Sequence, residues 1–321
     1  MSVRLSLWLL VAACGFSRMA FGEDASAPRP TVLSVLDFPV RAVMDLPDFF
    51  RQVDPRDHAA TYLWITALTG GLILADQPII DESQRFAYRI GLINEGDDGR
   101  ETRVIMHNSI FGIGANIHVP ESPNTYMYYL GDGITSFMIV GGLLSYGSFA
   151  DNGLAIHAAS QVLEAIALTG IFSITLKMSS GRESPFRATQ DGGKWRGFVG
   201  FKNYLKDVSK HDAYPSGHIA TLMATVRVLA ENYLDKTWIL PLGYTSMGLL
   251  MWAMLNNGVH WASDYPLGIA VGYNAAGVVL NHHLGKDRGA APPSPVTSGP
   301  LGNVTLSAQD GYVVVSKLWE L

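Results

Sequence analysis

Long runs of uncharged, mostly apolar residues recur along the chain and set its expected architecture. They cover residues 58–75, 133–150, 154–163, 165–176, 237–260 and 265–280. We interpret these runs as helices, because their length suits helices that bury most of their surface or cross a bilayer. A chain of 321 residues is long enough for one large domain or two smaller ones. A single all-α bundle is the simpler prediction.

Two environments fit these helices. Several runs approach the roughly 20 apolar residues that a membrane span needs, and the runs 133–150 and 237–260 have almost no polar face for water. Polar residues interrupt other runs, as Glu164 and Arg227 do, and the mean hydropathy of +0.17 is low for a chain embedded mostly in lipid. The pattern favours a membrane-associated bundle and leaves a water-soluble bundle as the alternative.

The first 22 residues have the pattern of a secretory signal peptide. Arg4 precedes the apolar run 5–16, and small residues precede Glu23. The apolar run is about half the length of a membrane span, so we expect cleavage rather than anchoring. Residues 11–14 also resemble a lipoprotein box, which leaves lipidation of Cys14 open. Either route predicts export into the envelope of a Gram-negative bacterium.

The segments that flank the bundle, which we place at 58–285, are expected to differ from it. Five prolines between residues 23 and 57 predict an irregular lead-in, because proline interrupts helices. Residues 286–303 are rich in Ala, Pro, Ser and Gly, which indicates a linker. Two β-prone runs around Asp310-Gly311 predict a β-hairpin at 304–321.

Composition argues against several functional classes. The chain is 48% hydrophobic and only 16% charged, which excludes a disordered or coiled-coil protein. Its net charge is −5 and no Lys/Arg run exceeds a pair, so we expect no nucleic-acid partner. The single cysteine, Cys14, lies in the leader, and HExxH and paired-cysteine spacings are absent. We therefore expect no disulfide, no metal site and no other cofactor.

The segment Pro215-Ser216-Gly217-His218 precedes an apolar run and is expected to begin a helix. Backbone N–H groups at a helix start bind anions, and glycine permits an anion to approach closely. His218 has a pKa range suited to donating a proton to a leaving oxygen. Ser216 as a simple helix cap is the alternative.

His260 and Asp264 are four residues apart, and we expect them on one face of a helix. There Asp264 would accept the Nδ1 proton of His260 and leave Nε2 free as a nucleophile. A buried histidine with an ordinary ion partner is the alternative.

Cations follow the apolar run 154–176. Lys177 and Arg182 lie where they could bind a phosphate or act as ordinary helix-end cations. At the other end of the predicted domain, His282 and His283 adjoin the linker, and we expect them to be solvated helix-end residues.

The order and spacing of these segments resemble the type 2 phosphatidic acid phosphatase superfamily, which also includes bacterial class A acid phosphatases and vanadium haloperoxidases. The resemblance covers roughly residues 59–283. The family pattern is Lys followed after six residues by Arg-Pro, then Pro-Ser-Gly-His, then Ser-Arg followed after five residues by His and after three more by Asp. The resemblance implies His260 as nucleophile, His218 as acid and Asp264 as orienting carboxylate, with phosphate held by Lys177, Ser216, Gly217 and, as an extra ligand, Arg182.

Two arginines of the family pattern are absent. Ser184 stands at the first, and Ala253-Met254 replaces the Ser-Arg pair. Arginine donates charge-assisted hydrogen bonds to phosphate, and removal of one such donor costs about 3 kcal/mol of transition-state stabilisation. We expect Arg182 or Arg187 to fill part of the gap.

The resemblance implies a metal-independent phosphatase that hydrolyses a phosphomonoester or a pyrophosphate through a phosphohistidine. A membrane-embedded bundle makes a phosphorylated lipid the expected substrate, with the site facing the periplasm. The alternatives are a soluble periplasmic acid phosphatase or haloperoxidase-like enzyme, and a catalytically silent membrane protein that binds a phosphate headgroup. The aromatic residues Trp195, Phe198, Phe201 and Tyr204 are candidates for recognising the rest of the substrate. The sequence makes no prediction of oligomeric state.

Overall fold

The computed structural model describes residues 32–93, 102–110, 113–120, 122–129, 133–287, 305–309 and 312–316. These residues are predominantly helical, which confirms the predicted all-α class. The helices are α1 Val32–Val35, α2 Phe38–Met44, α3 Leu46–Gln52, α4 Ala59–Arg89, α5 Pro123–Tyr129, α6 Gly133–Phe149, α7 Gly153–Ser180, α8 Phe201–Lys206, α9 Gly217–Asn232, α10 Ile239–Asn256 and α11 Tyr265–Asp287. Short 3-10 turns lie at Pro185–Arg187, Val208–Lys210 and Ala262–Asp264.

Two antiparallel strand pairs accompany the helices. β1 Thr102–Ile110 pairs with β2 Ile113–Pro120, and β3 Thr305–Gln309 pairs with β4 Tyr312–Ser316. The second pair is the β-hairpin predicted near the C-terminus. The first pair lies within the range 58–285 that was predicted as a helical bundle, in a stretch that contains none of its long apolar runs.

Some predicted segments fall outside the described residues. The leader 1–22, including Cys14, belongs to this group, and so does most of the linker 286–303. Helix α11 continues to Asp287 and therefore takes up the first two residues of the predicted linker.

The caps of α7 determine where the helix presents its cation. Asn152 caps the first turn, because its side chain accepts the Ala155 N–H at 2.9 Å. At the other end, the Gly181 N–H donates to the Lys177 carbonyl at 2.8 Å, and Gly181 has a left-handed φ of 58°. A Cβ at position 181 would lie 2.7 Å from the Val199 side chain. Glycine therefore ends α7 one turn after Lys177.

Close packing of α11 on α9 fixes the chain that leads into α11. Helices α7, α9 and α11 pack against one another. A Cβ on Gly268 would lie 2.6 Å from the Ser216 carbonyl oxygen, and one on Gly272 would lie 2.0 Å from the Ala220 carbonyl oxygen. Two glycines four residues apart thus let the helix backbones approach closely. The start of α11 is held against the start of α9.

The described part of the N-terminal lead-in, predicted to be irregular over 23–57, is mostly helical. Pro39 and Pro47 occupy the first turns of α2 and α3. At a helix start the missing N–H of proline needs no partner, and its fixed φ suits the helix. These prolines begin helices instead of interrupting them, so the prediction was wrong for residues 32–52.

The far end of α11 is joined to the N-terminal helices by ionisable side chains. The Nδ1 of His282 lies 2.5 Å from Asp45 Oδ1, and its Nε2 lies 2.6 Å from Asp48 Oδ2. The Nε2 of His283 lies 3.3 Å from Glu164 Oε2. The prediction that both histidines are simply solvated was wrong, because α2 and α3 fold over this end of the bundle.

Two described helices, α4 and α7, are long and apolar enough to cross a membrane, and α5 with α6 adds a third span if the bent pair is counted as one. On α4, Trp64 and Leu74 are 74% and 87% exposed, an apolar outer surface that suits lipid. Helix α10, which the sequence favoured as a span, is not among the candidates within the described residues. Membrane association therefore rests mainly on α4 and α7.

Candidate active site

The three polar segments of the sequence meet at one end of the bundle. The end of α7 supplies Lys177, the start of α9 supplies His218, and the chain between α10 and α11 supplies His260. The Nδ1 of His218 lies 3.3 Å from the Nε2 of His260, with the ring centroids 5.4 Å apart. The two imidazoles therefore share one site, as the sequence predicted.

His260 is buried and held at one ring nitrogen. Its Nδ1 lies 2.8 Å from the Ala213 carbonyl oxygen and 3.3 Å from Asp264 Oδ2. Both neighbours are acceptors, so Nδ1 carries the proton and the lone pair lies on Nε2. Burial, reinforced by nearby Lys177, lowers the pKa of His260 to about 3. The ring is therefore neutral at neutral pH, as a nucleophile requires.

His260 and Asp264 do not lie on one helix face, which corrects the sequence prediction. His260 precedes the 3-10 turn Ala262–Asp264, and Asp264 Oδ2 accepts the Trp261 N–H at 2.7 Å. This turn folds the carboxylate back toward the imidazole. The shorter contact of Nδ1 is with the Ala213 carbonyl, so Asp264 shares the positioning of the ring.

Arg182 is fully buried behind Asp264, away from a position where it could bind phosphate. Its Nη1 donates to Asp264 Oδ1 at 2.7 Å and to Ser263 Oγ at 2.6 Å. Its Nη2 donates to Asp76 Oδ2 at 2.6 Å, and Nε and Nη2 both donate to the Gly192 carbonyl. These acceptors match the five N–H groups of a guanidinium. The predicted phosphate contact of Arg182 does not fit this arrangement.

Asp76 of α4 completes a buried polar network that the sequence analysis missed. It accepts the Ser263 N–H at 3.0 Å and the Ser263 hydroxyl at 2.6 Å, besides the guanidinium of Arg182. Burial raises the pKa of Asp264 to about 7, although Arg182 and the Trp261 N–H act in the opposite direction. The available signal was a carboxylate directly after an apolar run, which marks a functional position when the helix lies in a membrane.

A cavity of about 260 Å³ opens beside the histidines. Its walls are formed by α7 and α9, with contributions from α6 and α8: Gly133, Gly170, Ser173, Ile174, Lys177, Tyr204, Gly217, His218 and Thr221. Lys177 is the one lysine or arginine among these described wall residues. Its Nζ lies 3.8 Å from Asp212 Oδ2, so a carboxylate partly offsets its charge.

Ser216 caps α9 and leaves the anion-facing position to its neighbours. Its Oγ accepts the Ile219 N–H at 3.4 Å, and its N–H donates to the Asp264 carbonyl at 3.0 Å. These contacts match the alternative interpretation of Ser216 as a helix cap, and its predicted phosphate contact stays a prediction. Gly217 and His218 occupy the first helical positions, where N–H groups lack intrahelical acceptors.

Other side chains occupy the positions of the two absent arginines. Ser184 donates to Asp212 Oδ1 at 3.2 Å, and Met254 is buried in an apolar cluster. Arg187 donates to Asp207 Oδ2 at 2.7 Å and is 39% exposed. The expectation that Arg182 or Arg187 compensates for the missing guanidiniums is not supported.

Of the four aromatic residues proposed for substrate recognition, Tyr204 lines the cavity. Trp195 packs over the guanidinium of Arg182 at 4.6 Å. Phe198 and Phe201 are largely exposed to the surroundings. Tyr204 therefore stays a candidate for substrate recognition, whereas Trp195 packs on the buried guanidinium of Arg182.

Tyr128 of α5 reaches the site although no sequence motif includes it. Its hydroxyl lies 2.9 Å from the Nε2 of His218.

Within the described residues no group of three or more His, Cys, Asp or Glu side chains is arranged to hold a metal ion.

Comparison with protein families matches residues 158–287 to the PAP2 superfamily. The matched range contains Lys177, the segment 215–218 and the segment 260–264. It does not contain α4 or α5, which supply Asp76 and Tyr128. Neither a curated protein nor a solved structure matches the chain.

Proposed function

We propose that the protein is a phosphatase that transfers the phosphoryl group of a phosphate ester to His260 and then to water. The premise is the match of residues 158–287 to the PAP2 superfamily. The single observation that carries the proposal is the 3.3 Å approach of His218 Nδ1 to His260 Nε2, with His260 Nδ1 held by acceptors. A nucleophile and a proton donor thus face the same position.

In the first step the Nε2 lone pair of His260 forms a bond to phosphorus. The bond between phosphorus and the leaving oxygen breaks, and protonated His218 gives its Nδ1 proton to that oxygen. The phosphorylated imidazole becomes positive and keeps its Nδ1 proton on the Ala213 carbonyl and Asp264. Asp264 stabilises that charge, and Arg182 holds the carboxylate in place.

In the second step water replaces His260 on phosphorus. The water oxygen bonds to phosphorus, the P–N bond breaks, and its electron pair returns to Nε2 of His260. The Nδ1 of His218 accepts a proton from the attacking water. The products are the free alcohol and inorganic phosphate, and both histidines regain their starting states.

Lys177 and the first N–H groups of α9, at Gly217 and His218, are the proposed phosphate ligands. The net positive charge of this phosphate site is small, because Asp212 Oδ2 lies 3.8 Å from Lys177 Nζ and two guanidiniums of the family pattern are absent. We expect weak binding of inorganic phosphate and dependence of affinity on the rest of the substrate.

We propose a phosphorylated lipid as substrate, with the site at the periplasmic face. The support is that α7, one wall of the cavity, is also a candidate membrane span. A headgroup could therefore reach Lys177 from the adjacent bilayer surface. The pattern of residues 1–22 supports the orientation, since it predicts export of the chain.

A phosphate-release assay on the full-length protein in detergent tests the proposal. Substrates are phosphatidic acid, phosphatidylglycerol phosphate, undecaprenyl pyrophosphate and p-nitrophenyl phosphate. We expect wild-type turnover of at least one, and a loss of at least about 100-fold in His260→Ala. The control is His58→Ala, which changes the residue before α4 and keeps wild-type rates.

A second candidate function is phosphate-headgroup binding without catalysis. It is favoured by the uncompensated loss of two guanidiniums. Phosphate release no faster than the protein-free background, from every substrate and in both wild type and His260→Ala, would select it.

A further inference from the structure

We propose that Tyr128 is a positioning residue for His218, an inference that rests on the proposed phosphatase function. The two nitrogens of His218 face opposite neighbours. Nδ1 faces His260 Nε2 at 3.3 Å, and Nε2 faces the Tyr128 hydroxyl at 2.9 Å. The rings of Tyr128 and His218 also contact each other, with centroids 5.3 Å apart. Tyr128 thus holds the imidazole from the side away from the nucleophile.

The helix that carries Tyr128 is fastened to the bundle by a buried amide network. Asn256 Nδ2 donates to Asn124 Oδ1 at 2.9 Å, and the Asn124 amide donates to Asn257 Oδ1. Ser83 of α4 donates to Asn256 Oδ1 at 2.7 Å. Asn124 lies four residues before Tyr128, on the same face of α5. The network therefore fixes the phenol against His218.

Asn256 ends α10 and Asn257 is its C-cap, and Leu255 alone separates them from the Ala253-Met254 pair, where the family pattern has Ser-Arg. Asn124 also reaches the Ala253 carbonyl, at 3.5 Å. The stretch that lacks the family's guanidinium is thus the stretch that holds α5.

The chemical consequence concerns which nitrogen of His218 exchanges a proton. In the proposed cycle Nδ1 gives its proton to the leaving oxygen and later takes one from water, so Nε2 keeps its proton throughout. The Tyr128 oxygen can accept that Nε2 proton in both states. With the Tyr128 oxygen as acceptor, this contact favours the tautomer protonated on Nε2 after the first step and the imidazolium before it.

Other groups also face His218 and influence its protonation. They are His260 from the segment before α11, Lys177 from α7 and Tyr204 from α8, the last two through the shared cavity. None of these contacts is changed by the substitution Tyr128→Phe, which removes the hydroxyl alone. The variant therefore isolates the phenol contact.

The test compares two leaving groups in Tyr128→Phe. Hydrolysis of an alkyl phosphate, here a short-chain phosphatidic acid, needs protonation of the leaving oxygen, whereas p-nitrophenolate departs without it. We expect kcat to fall about tenfold or more for the alkyl phosphate and less than about threefold for p-nitrophenyl phosphate. The alkaline limb of the alkyl phosphate profile moves to lower pH, because imidazolium loses an acceptor.

The matched control is Tyr126→Phe, the same change at an exposed position of α5, where both rates stay at wild type. The ratio of the two rates is a property of the folded fraction, so partial misfolding does not alter it. An unchanged ratio, or an equal loss for both substrates, in an active variant would overturn the inference alone. Absence of activity in the wild type would overturn the proposed function and this inference with it.

Discussion

At the scale of single residues, the same charged group has a different role according to its burial. Arg182 follows Lys177 by five residues, and from the sequence both are phosphate ligands. In the folded chain Lys177 lines the cavity, whereas Arg182 is enclosed by Asp76, Asp264 and the Gly192 carbonyl. In the proposed reaction Arg182 therefore acts through Asp264.

The substitution Arg182→Lys separates these roles. Lysine keeps the positive charge but cannot reproduce the forked contacts with Asp76, Ser263 and Asp264. We expect kcat to fall about tenfold or more while KM stays within about twofold. Steady-state kinetics checks this, with the surface residue change Arg187→Lys as control. A raised KM with unchanged kcat would instead identify Arg182 as a phosphate ligand.

The sequence predicts the chemically active residues better than their surroundings. The identities and spacing of His218, His260 and Asp264 led to the prediction that the two imidazoles lie beside the start of α9, where the structure places them. Tyr128 and Asp76 could not be found in this way, since each contacts the site through long-range packing of a helix outside the motifs. The sequence around each of these two residues contains no motif that would place it near the site.

At the scale of helices, glycine spacing decides how accurately the motifs meet. The segment 260–264 enters α11, and the segment 215–218 enters α9. Their separation depends on the approach of α11 to α9 at Gly268 and Gly272. The distance between the two histidines thus depends partly on the glycine contacts in the first two turns of α11.

The substitution Gly272→Ala tests this dependence. Its Cβ would lie 2.0 Å from the Ala220 carbonyl oxygen, so the helices must separate. We expect the free energy of unfolding to fall by about 1–3 kcal/mol and phosphatase turnover to decrease. The control is Gly248→Ala on α10, where a Cβ meets nothing within 4 Å; there alanine stabilises the helix by up to about 1 kcal/mol. Equal unfolding midpoints in the two variants would contradict the expectation.

The elements themselves were predictable where hydrophobicity alone determines them. Apolar runs at 133–150 and 154–176 correspond closely to α6 and α7. The lead-in was misjudged because Pro39 and Pro47 have opposite meanings at a helix start and in a helix interior. A proline alone does not show whether it begins a helix or interrupts one. Here the packing of α2 on α7 stabilises the helix that has Pro39 in its first turn.

At the scale of the whole molecule, the bundle has two chemically different ends. Helix α11 begins beside the candidate active site, and near its other end His282 contacts Asp45 and Asp48. Its 23 residues correspond to about 35 Å, close to the roughly 30 Å hydrocarbon core of a bilayer. This length suits the proposal that the phosphatase site lies at one membrane surface and the His282 contacts lie near the other.

The most direct test of the central claim is to isolate the phosphorylated protein. The wild-type chain is mixed briefly with a radiolabelled phosphate ester, quenched in alkali, where phosphohistidine survives, and digested for peptide mapping. The account predicts label on the peptide that contains His260, and no label in His260→Ala. Phosphate release without label on that peptide, or equal labelling of the two proteins, would contradict it.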